Sequence, residues 1–371
     1  MAAVLLLLAG PSLAQANAGT PMMLATGVHL LFGNLIIGLI EGLLLAKVFG
    51  VSMWRCIGLL IVANYFSAWC GLFGMQGIAH VLPMGLHSGW LLLWLLVVIT
   101  YMLTLLLEFS FVAFAFRGDP SWRRKSIRGS LLIQTVSYAI LFGWYWLPSR
   151  ASLYTRTDVV EVSSMSLPQS VLVYFLSVDD GSVNSGSLRE RQWRRVLDLH
   201  SSHRNDRLFV RPSAQDPNLW DLVARLETDG HREPNFVTVE GQLATVAVPS
   251  RGSTDTDPPR YDGTWFNFGP APKLGDAQSS SWEFRSGFWP GAGLYGAESN
   301  SRKRVSFAFE TPYIAWSARN LTHLPTDKVL LQLGKDQICV YDPLKNQIAL
   351  LARGRGPIAV MESPQDPDHR P

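Results

Sequence analysis

The chain has 371 residues, 48% of them hydrophobic and 16% charged, with a net charge of +3. That length accommodates two domains, and so small a positive excess excludes nucleic acid as a partner. Three cysteines, Cys56, Cys70 and Cys339, with no CxxC among them, exclude a disulfide framework, a zinc ribbon and a thioredoxin-type redox site.

The first stretch, MAAVLLLLAGPSLAQANAG, reads as a secretory signal peptide over residues 1–16. It has an apolar run, a Gly-Pro break and Ala14-Gln15-Ala16 as the cleavage site, though the basic segment that usually leads such a peptide is missing. From Pro21 to Pro148 nearly every residue is apolar, and after Arg150 charged residues, Gly, Pro and Ser become common. The division predicts a membrane domain over 17–148, a linker over 149–167, a soluble domain over 168–362 and a disordered tail over 363–371.

Crossing about 30 Å of hydrocarbon takes about 20 apolar residues in a helix. Four stretches are long enough: about 22–49, 56–79, 88–116 and 130–147. The loop RGDPSWRRKSIRG holds Arg117, Arg123, Arg124, Lys125 and Arg128, and Lys47 and Arg55 flank the first turn, while the loop around 80–88 has no Lys or Arg. By the positive-inside rule the basic loops face the cytoplasm, so the N-terminus and everything after Pro148 lie outside. The protein is then a multi-pass protein of the inner membrane with an extracytoplasmic (periplasmic) C-terminal domain. This topology leaves the Arg117-Gly118-Asp119 tripeptide on the wrong side for adhesion, and the sequon Asn320-Leu321-Thr322 as a chance match.

Polar residues inside spans are functional candidates. Here they are Glu41 and Glu108, with Asn34, Asn64, Gln76 and Gln134. At 100° per residue Asn34, Gly38 and Glu41 share one helix face, a pattern of small residues and an amide that suits helix packing in lipid. Both glutamates fall near the cytoplasmic ends of their spans, where Lys47 or the basic loop is expected to pair with them; the functional alternative is a proton or cation path. At the opposite end stand His29, His80 and His87 with Met22, Met23, Met75 and Met84, donors suited to copper or a b-type haem. The same residue types are common at membrane interfaces, and no HxxxH or MxxM pair is present.

The stretch HLLFGNLIIGLIEGLLLAKV resembles a helix of the membrane subunits of cobalt and nickel uptake transporters. The N-terminal Met-His motif of those subunits is absent, so the resemblance implies no ligand here.

Beyond the linker, short alternating segments such as SVLVYFLSV, DRLFVRPS, FVTVEGQLATVAV, KVLLQLG and QICVYDP predict an all-β domain. NLWDLVARLE is open to a short helix. The stretches beginning VLVYFLSV and VLLQLGKD share an order of strand, turn, strand, turn, strand, and QICVYDPLKNQIALL is similar to the inner strands of β-propeller blades. Blades of about 40–50 residues predict four or five degenerate copies, with a β-sandwich as the alternative.

Gly291 to Gly296 matches GxGxxG, but a polar turn and a strand follow where a dinucleotide site needs a helix. HSSHRND brings His200, His203 and Asp206 together in a polar connection. No GxSxG elbow or HExxH occurs, so no catalytic constellation is predicted. Trp265, Phe268, Trp282, Phe288, Trp289 and Tyr295 lie on Gly- and Pro-rich segments, as candidates either for core packing or for binding a glycan or protein partner of the envelope.

The whole plan resembles that of uncharacterised bacterial polytopic membrane proteins with a degenerate propeller-like outer domain, which implies a location and no activity. The expectation is a four-helix transmembrane bundle followed by an all-β domain that binds or senses. The alternative is a transporter or redox component that holds metal or haem in the bundle.

Overall fold

Runs of twenty apolar residues without an interior proline satisfy their backbone most readily as helices, and the described residues between 21 and 149 are helical apart from short turns. The computed structural model describes residues 21–81, 85–149, 157–190, 192–203, 206–227, 235–247, 268–287, 293–307, 309–310 and 315–362. The signal peptide, Trp265, Phe288, Trp289 and the tail from 363 lie outside these residues. Two compact units divide the chain, one helical and one β-rich.

The helices are α1 (Pro21–Val28), α2 (Asn34–Phe49), α3 (Met53–Val81), α4 (Gly89–Ala115) and α5 (Trp122–Ser149). A π-helical turn over His29–Gly33 joins α1 to α2. Four stretches are long and apolar enough to cross a membrane: Ala25–Phe49, Met53–Gly71, Gly89–Ala115 and Trp122–Leu147. They agree with the expected spans, although α3 and α5 each begin earlier, through Arg55 and the basic Arg123 to Arg128. Gly50 ends α2 in the left-handed conformation (φ 68°), its N–H bonding Ala46. In the RGD turn Asp119 accepts from the N–H and hydroxyl of Ser121 and from Lys125, which fixes the start of α5.

Helices α2 and α3 pack at the closest possible range. A Cβ on Gly38 would stand 2.6 Å from the Ile61 Cα, and one on Gly42 would stand 2.5 Å from the Ile57 Cα. Two glycines four residues apart thus let the backbones touch, in a small-xxx-small pattern. Below this seam Leu45, Cys56, Leu60, Val112, Phe116 and Ile133 form one apolar cluster. Large apolar side chains also point outward, with Leu91 and Leu106 74% and 72% exposed.

The β-rich unit begins with β1 (Asp158–Val159), β2 (Val171–Ser177), β3 (Ser182–Ser187) and β4 (Arg194–Asp198). A three-stranded sheet follows: β5 (Arg207–Pro212), β6 (Trp220–Leu226) and β7 (Asn235–Leu243). Next come β8 (Gly269–Pro270), β9 (Trp282–Gly287), β10 (Gly293–Glu298) and β11 (Arg304–Phe307) in a four-stranded sheet, and a short ribbon of β12 (Phe309–Glu310) with β13 (Ala315–Trp316). The chain ends in β14 (Ala318–Leu324), β15 (Lys328–Leu333), β16 (Gln337–Asp342) and β17 (Gln347–Met361). The segment NLWDLVARLE is therefore strand β6, because Leu222 and Ala224 alternate into the core while β5 and β7 pair on either side.

The two similar stretches are real three-strand meanders, β2–β3–β4 and β15–β16–β17, but they are not separate blades. Strand β17 is 15 residues long and changes partner midway. Its first half pairs with β16 (Gln337↔Arg353) and its second half with β2 (Gly354↔Ser177). The register breaks between Arg355 and Ile358, where Gly356 takes φ 59°, and a bulge of this kind bends a strand. The result is one eight-stranded sheet, ordered β14-β15-β16-β17-β2-β3-β4 with β1 on β17, curled into a half-barrel.

Both faces of this sheet are covered, as its nearly continuous apolar strands require. Val171, Val173 and Phe175 enter one cluster with Leu330, Ile338, Val340 and Ala359. Tyr174 and Leu176, on the opposite face, enter a second with Leu208, Leu222 and Val360.

Candidate functional site: a carboxyl pair in the helical unit

The inward face of α5 consists of Ser126, Gly129, Ser130, Ile133, Gln134 and Ser137, all buried and spaced for a helix. Four of the six carry a polar side chain, an unusual composition for a face packed among apolar helices. On α2 the inward face includes Asn34, Gly38, Glu41 and Gly42, as its periodicity predicts, and on α4 it includes Glu108.

These faces bring two carboxyl groups into one polar ring, closed by hydrogen bonds between helices and by single helix turns within α3 and α5. Glu41 Oε2 accepts from Asn64 Nδ2 on α3 at 2.5 Å, and its Oε1 accepts from the hydroxyl of Ser137 on α5. Glu108 Oε1 accepts from Ser67 Oγ on α3 at 2.5 Å, and its Oε2 accepts from Gln134 Nε2 on α5 at 2.5 Å. Asn64 and Ser67 are one turn apart, as are Gln134 and Ser137. The ring therefore passes from α2 to α3 to α4 to α5 and back to α2. All six side chains are buried, with Glu41 0% and Glu108 1% exposed.

Neither carboxyl group has an ion pair among the described residues, which corrects the expectation that Lys47 or the basic loop neutralises them. Lys47 is exposed, and Lys125 is bound to Asp119. The hydrogen-bond partners of both glutamates are amides and hydroxyls, which carry no charge.

The two shells differ in one respect. Asn64 spends its second amide hydrogen on the Leu60 carbonyl at 2.9 Å, so it is committed as a donor to Glu41. Ser67 has one hydroxyl hydrogen and two acceptors in reach, Glu108 Oε1 at 2.5 Å and the Asn64 carbonyl at 3.1 Å. When its hydrogen turns to the carbonyl, its oxygen is free to accept from a protonated Glu108. The shell of Glu108 thus accommodates acid and carboxylate alike.

Towards the other end of the bundle, Tyr138 meets Thr104 at 3.3 Å, and Thr104 donates to the Thr100 carbonyl at 2.8 Å. His29 Nδ1 lies 2.8 Å from the Tyr145 hydroxyl and Trp144 Nε1 donates to the Ala25 carbonyl. Gly33 makes room for this imidazole, since a Cβ there would approach His29 Cδ2 to 2.9 Å. His87 is exposed in the turn after α3. His80 lies in the last turn of α3, where its side chain, like that of Gln76, is outside the described residues. No group of three His, Cys, Asp or Glu side chains suited to a metal gathers among the described residues, and His29 is held by a tyrosine.

In the β-rich unit the other candidates have structural partners. Trp282 is 3% exposed and stacks on Phe284 with centroids 5.4 Å apart, so it is a core residue and not a surface anchor. Arg285 covers the ring of Tyr295 at 5.7 Å. Asp206 is buried and pins its loop by accepting from Ser201, from the His203 N–H and from the Glu227 N–H, while His200 contacts Asp198 at 3.2 Å. The described part of GxGxxG is the start of strand β10, which pairs with β9 and β11. Asn320 sits in a β14 bulge at φ 51° and donates to Gln332.

Sequence reasoning named Glu41, Glu108, Asn64 and Gln134 but missed Ser67, Ser126, Ser130 and Ser137. The signal was available in the helical spacing of these serines with Gln134. Comparison with family models, with curated proteins and with solved structures gave no match.

Proposed function

We propose that this chain is a non-enzymatic integral membrane protein whose helical unit takes up and releases a proton at Glu108, and whose β-rich domain meets an envelope protein or glycan outside the membrane. The belt of exposed Leu, Phe and Trp side chains supports insertion of the four helices. The basic residues between α4 and α5 support a cytoplasmic location for that loop and an extracytoplasmic location for the β-rich domain. A periplasm-dependent reporter fused after Arg150 is then active and one fused at Ser121 is inactive; the reverse pattern overturns the orientation.

The observation that carries the proton reading is the two-acceptor position of Ser67 beside a carboxyl group with no cation. A guanidinium or ammonium partner would hold Glu108 as a carboxylate, whereas hydroxyl and amide neighbours serve both protonation states. Glu41 also has one amide and one hydroxyl partner, but the Ser137 hydroxyl has no second acceptor among the described residues, so Glu41 is the less adaptable member of the pair. Infrared difference spectra of the full-length protein in lipid test this assignment. A protonated-carboxyl C=O band that titrates with pH, disappears in Glu108→Gln and persists in Glu41→Gln is expected. Absence of the band, or its loss only in Glu41→Gln, overturns the assignment.

A further inference from the structure

The face of α5 that supplies Gln134 continues toward the basic loop with Ser130 and Ser126. Both are buried, at 4% and 0% exposure, and neither hydroxyl has a hydrogen-bond partner among the described residues. Buried helical serines ordinarily bond the carbonyl one turn back, and a buried unpaired hydroxyl costs about 1–3 kcal/mol. Two such groups, on the one helix face that carries the carboxyl ring, indicate a polar ligand between them.

Spacing identifies the ligand. Residues four apart on a helix rise by about 6 Å, too far for hydroxyl to meet hydroxyl. One water about 2.8 Å from each group spans about 5.6 Å. We infer that Ser126 and Ser130 hold a file of water molecules, one between the two serines and one between Ser130 and the Gln134–Glu108 pair. This file connects the carboxyl ring to the end of the bundle that bears the basic loop. It crosses a layer whose apolar side chains are Leu45, Cys56, Val112, Phe116 and Ile133. A proton leaving Glu108 passes to the nearer water, each water in turn passes on one of its own, and the carboxylate left behind keeps its bond from Gln134 and regains the one from Ser67 as that hydroxyl turns back from the Asn64 carbonyl. The titratable and charged groups around this route are Glu41 on α2, Cys56 and Arg55 on α3, and Lys125 and Arg128 on α5, with Tyr138 on the far side of the carboxyl ring. Lys47 of α2 and Arg128 are exposed at the loop end, and Arg55 is directed to the Ala115 carbonyl at 3.4 Å.

This inference rests on the proton reading of Glu108, and its test separates the two. Full-length protein in lipid nanodiscs is moved from H2O to D2O, and the deuterium shift of the Glu108 C=O band is followed in time. Ser126→Ala and Ser130→Ala, each breaking a file in series, are expected to slow the exchange at least tenfold, while Ser130→Thr, which keeps the hydroxyl, stays within twofold of the parent. A band of unchanged frequency in each variant shows that the bundle is intact. Exchange in both alanine variants at the parental rate overturns the water file and leaves the carboxyl assignment standing. Slowing by Ser130→Thr equal to that by Ser130→Ala also overturns it, because bulk and not the hydroxyl would then matter. Absence of the band in the parent protein overturns both.

Discussion

Ser67 Oγ stands 2.5 Å from Glu108 Oε1 and 3.1 Å from the carbonyl oxygen of Asn64. One hydroxyl hydrogen faces two acceptors, so the pair has two arrangements that differ only by a rotation about the serine Cβ–Oγ bond. Interhelical hydrogen bonds within lipid contribute about 1–2 kcal/mol at most. Ser67→Ala is therefore expected to destabilise the bundle by about 1 kcal/mol and to shift the pH at which the Glu108 band titrates. A double-mutant cycle with Glu108→Gln gives a coupling of at least about 0.5 kcal/mol. Full additivity in unfolding titrations would show that the two side chains do not act together.

The glycine seam gives an opposite pair of expectations. A Cβ on Gly42 would meet the Ile57 backbone at 2.5 Å, which no rotamer change relieves, whereas one on Gly58 meets nothing within 4 Å. Gly42→Leu forces α2 off α3, at a cost above the about 1–3 kcal/mol of ordinary overpacking. Gly58→Ala costs nothing and raises stability by up to about 1 kcal/mol, since alanine is the better helix former. Thermal unfolding of the two variants in the same lipid checks the contrast.

Much of this arrangement was legible beforehand, for physical reasons. Hydropathy located the helices because long apolar runs satisfy their backbone most readily as helices, and the 100° rule placed Asn34, Gly38 and Glu41 on one face because helical geometry is regular. The partners of Glu41 and Glu108 were not legible, since charge complementarity points to Lys47 while the ring is closed by serines, which hydropathy treats as neutral. Likewise the Asp342 turn of the β16–β17 hairpin follows from its YDPLKN sequence, the Asp342 carboxylate accepting from Leu344 and Lys345 N–H groups. The change of partner along β17 does not, because pairing over sequence-distant strands leaves only a Gly-Pro bulge as its local mark.

The β-rich unit contains a pH-sensitive element of its own. His323 is 0% exposed, packs edge-on to Phe284 at 4.8 Å, and has Nε2 3.2 Å from Asp327, which also accepts from Ser280. Burial pushes the imidazole below its ordinary value of 6.5, and Asp327 opposes this only in part. Below pH 6.5 the unfolded chain therefore binds a proton that the native state resists. Stability is fully present above that pH and falls as the pH drops through 6.5 toward the lowered native value. Amide-exchange protection of β14 is expected to decline over this range, and His323→Phe to flatten the decline. A decline that is as steep in His323→Phe would assign it to another group.

Cys339 offers a last test of how tightly the half-barrel is closed. It lies mid-strand in β16, opposite Leu331 and Leu350, with 0% exposure, and burial raises its thiol far above the ordinary range. A thiol reacts as its thiolate, so a soluble maleimide is expected to leave Cys339 unmodified in the native protein and to label it on denaturation, as read by mass spectrometry of its peptide. The same burial sets the order of two substitutions. Cys339→Ala removes one atom from a packed layer and costs about 1 kcal/mol. Cys339→Ser puts a hydroxyl opposite Leu331 and Leu350 and costs about 1–3 kcal/mol if it stays unpaired. Denaturant titrations in which serine is the milder change would mean that a polar partner reaches the strand, and that this layer of the sheet is open.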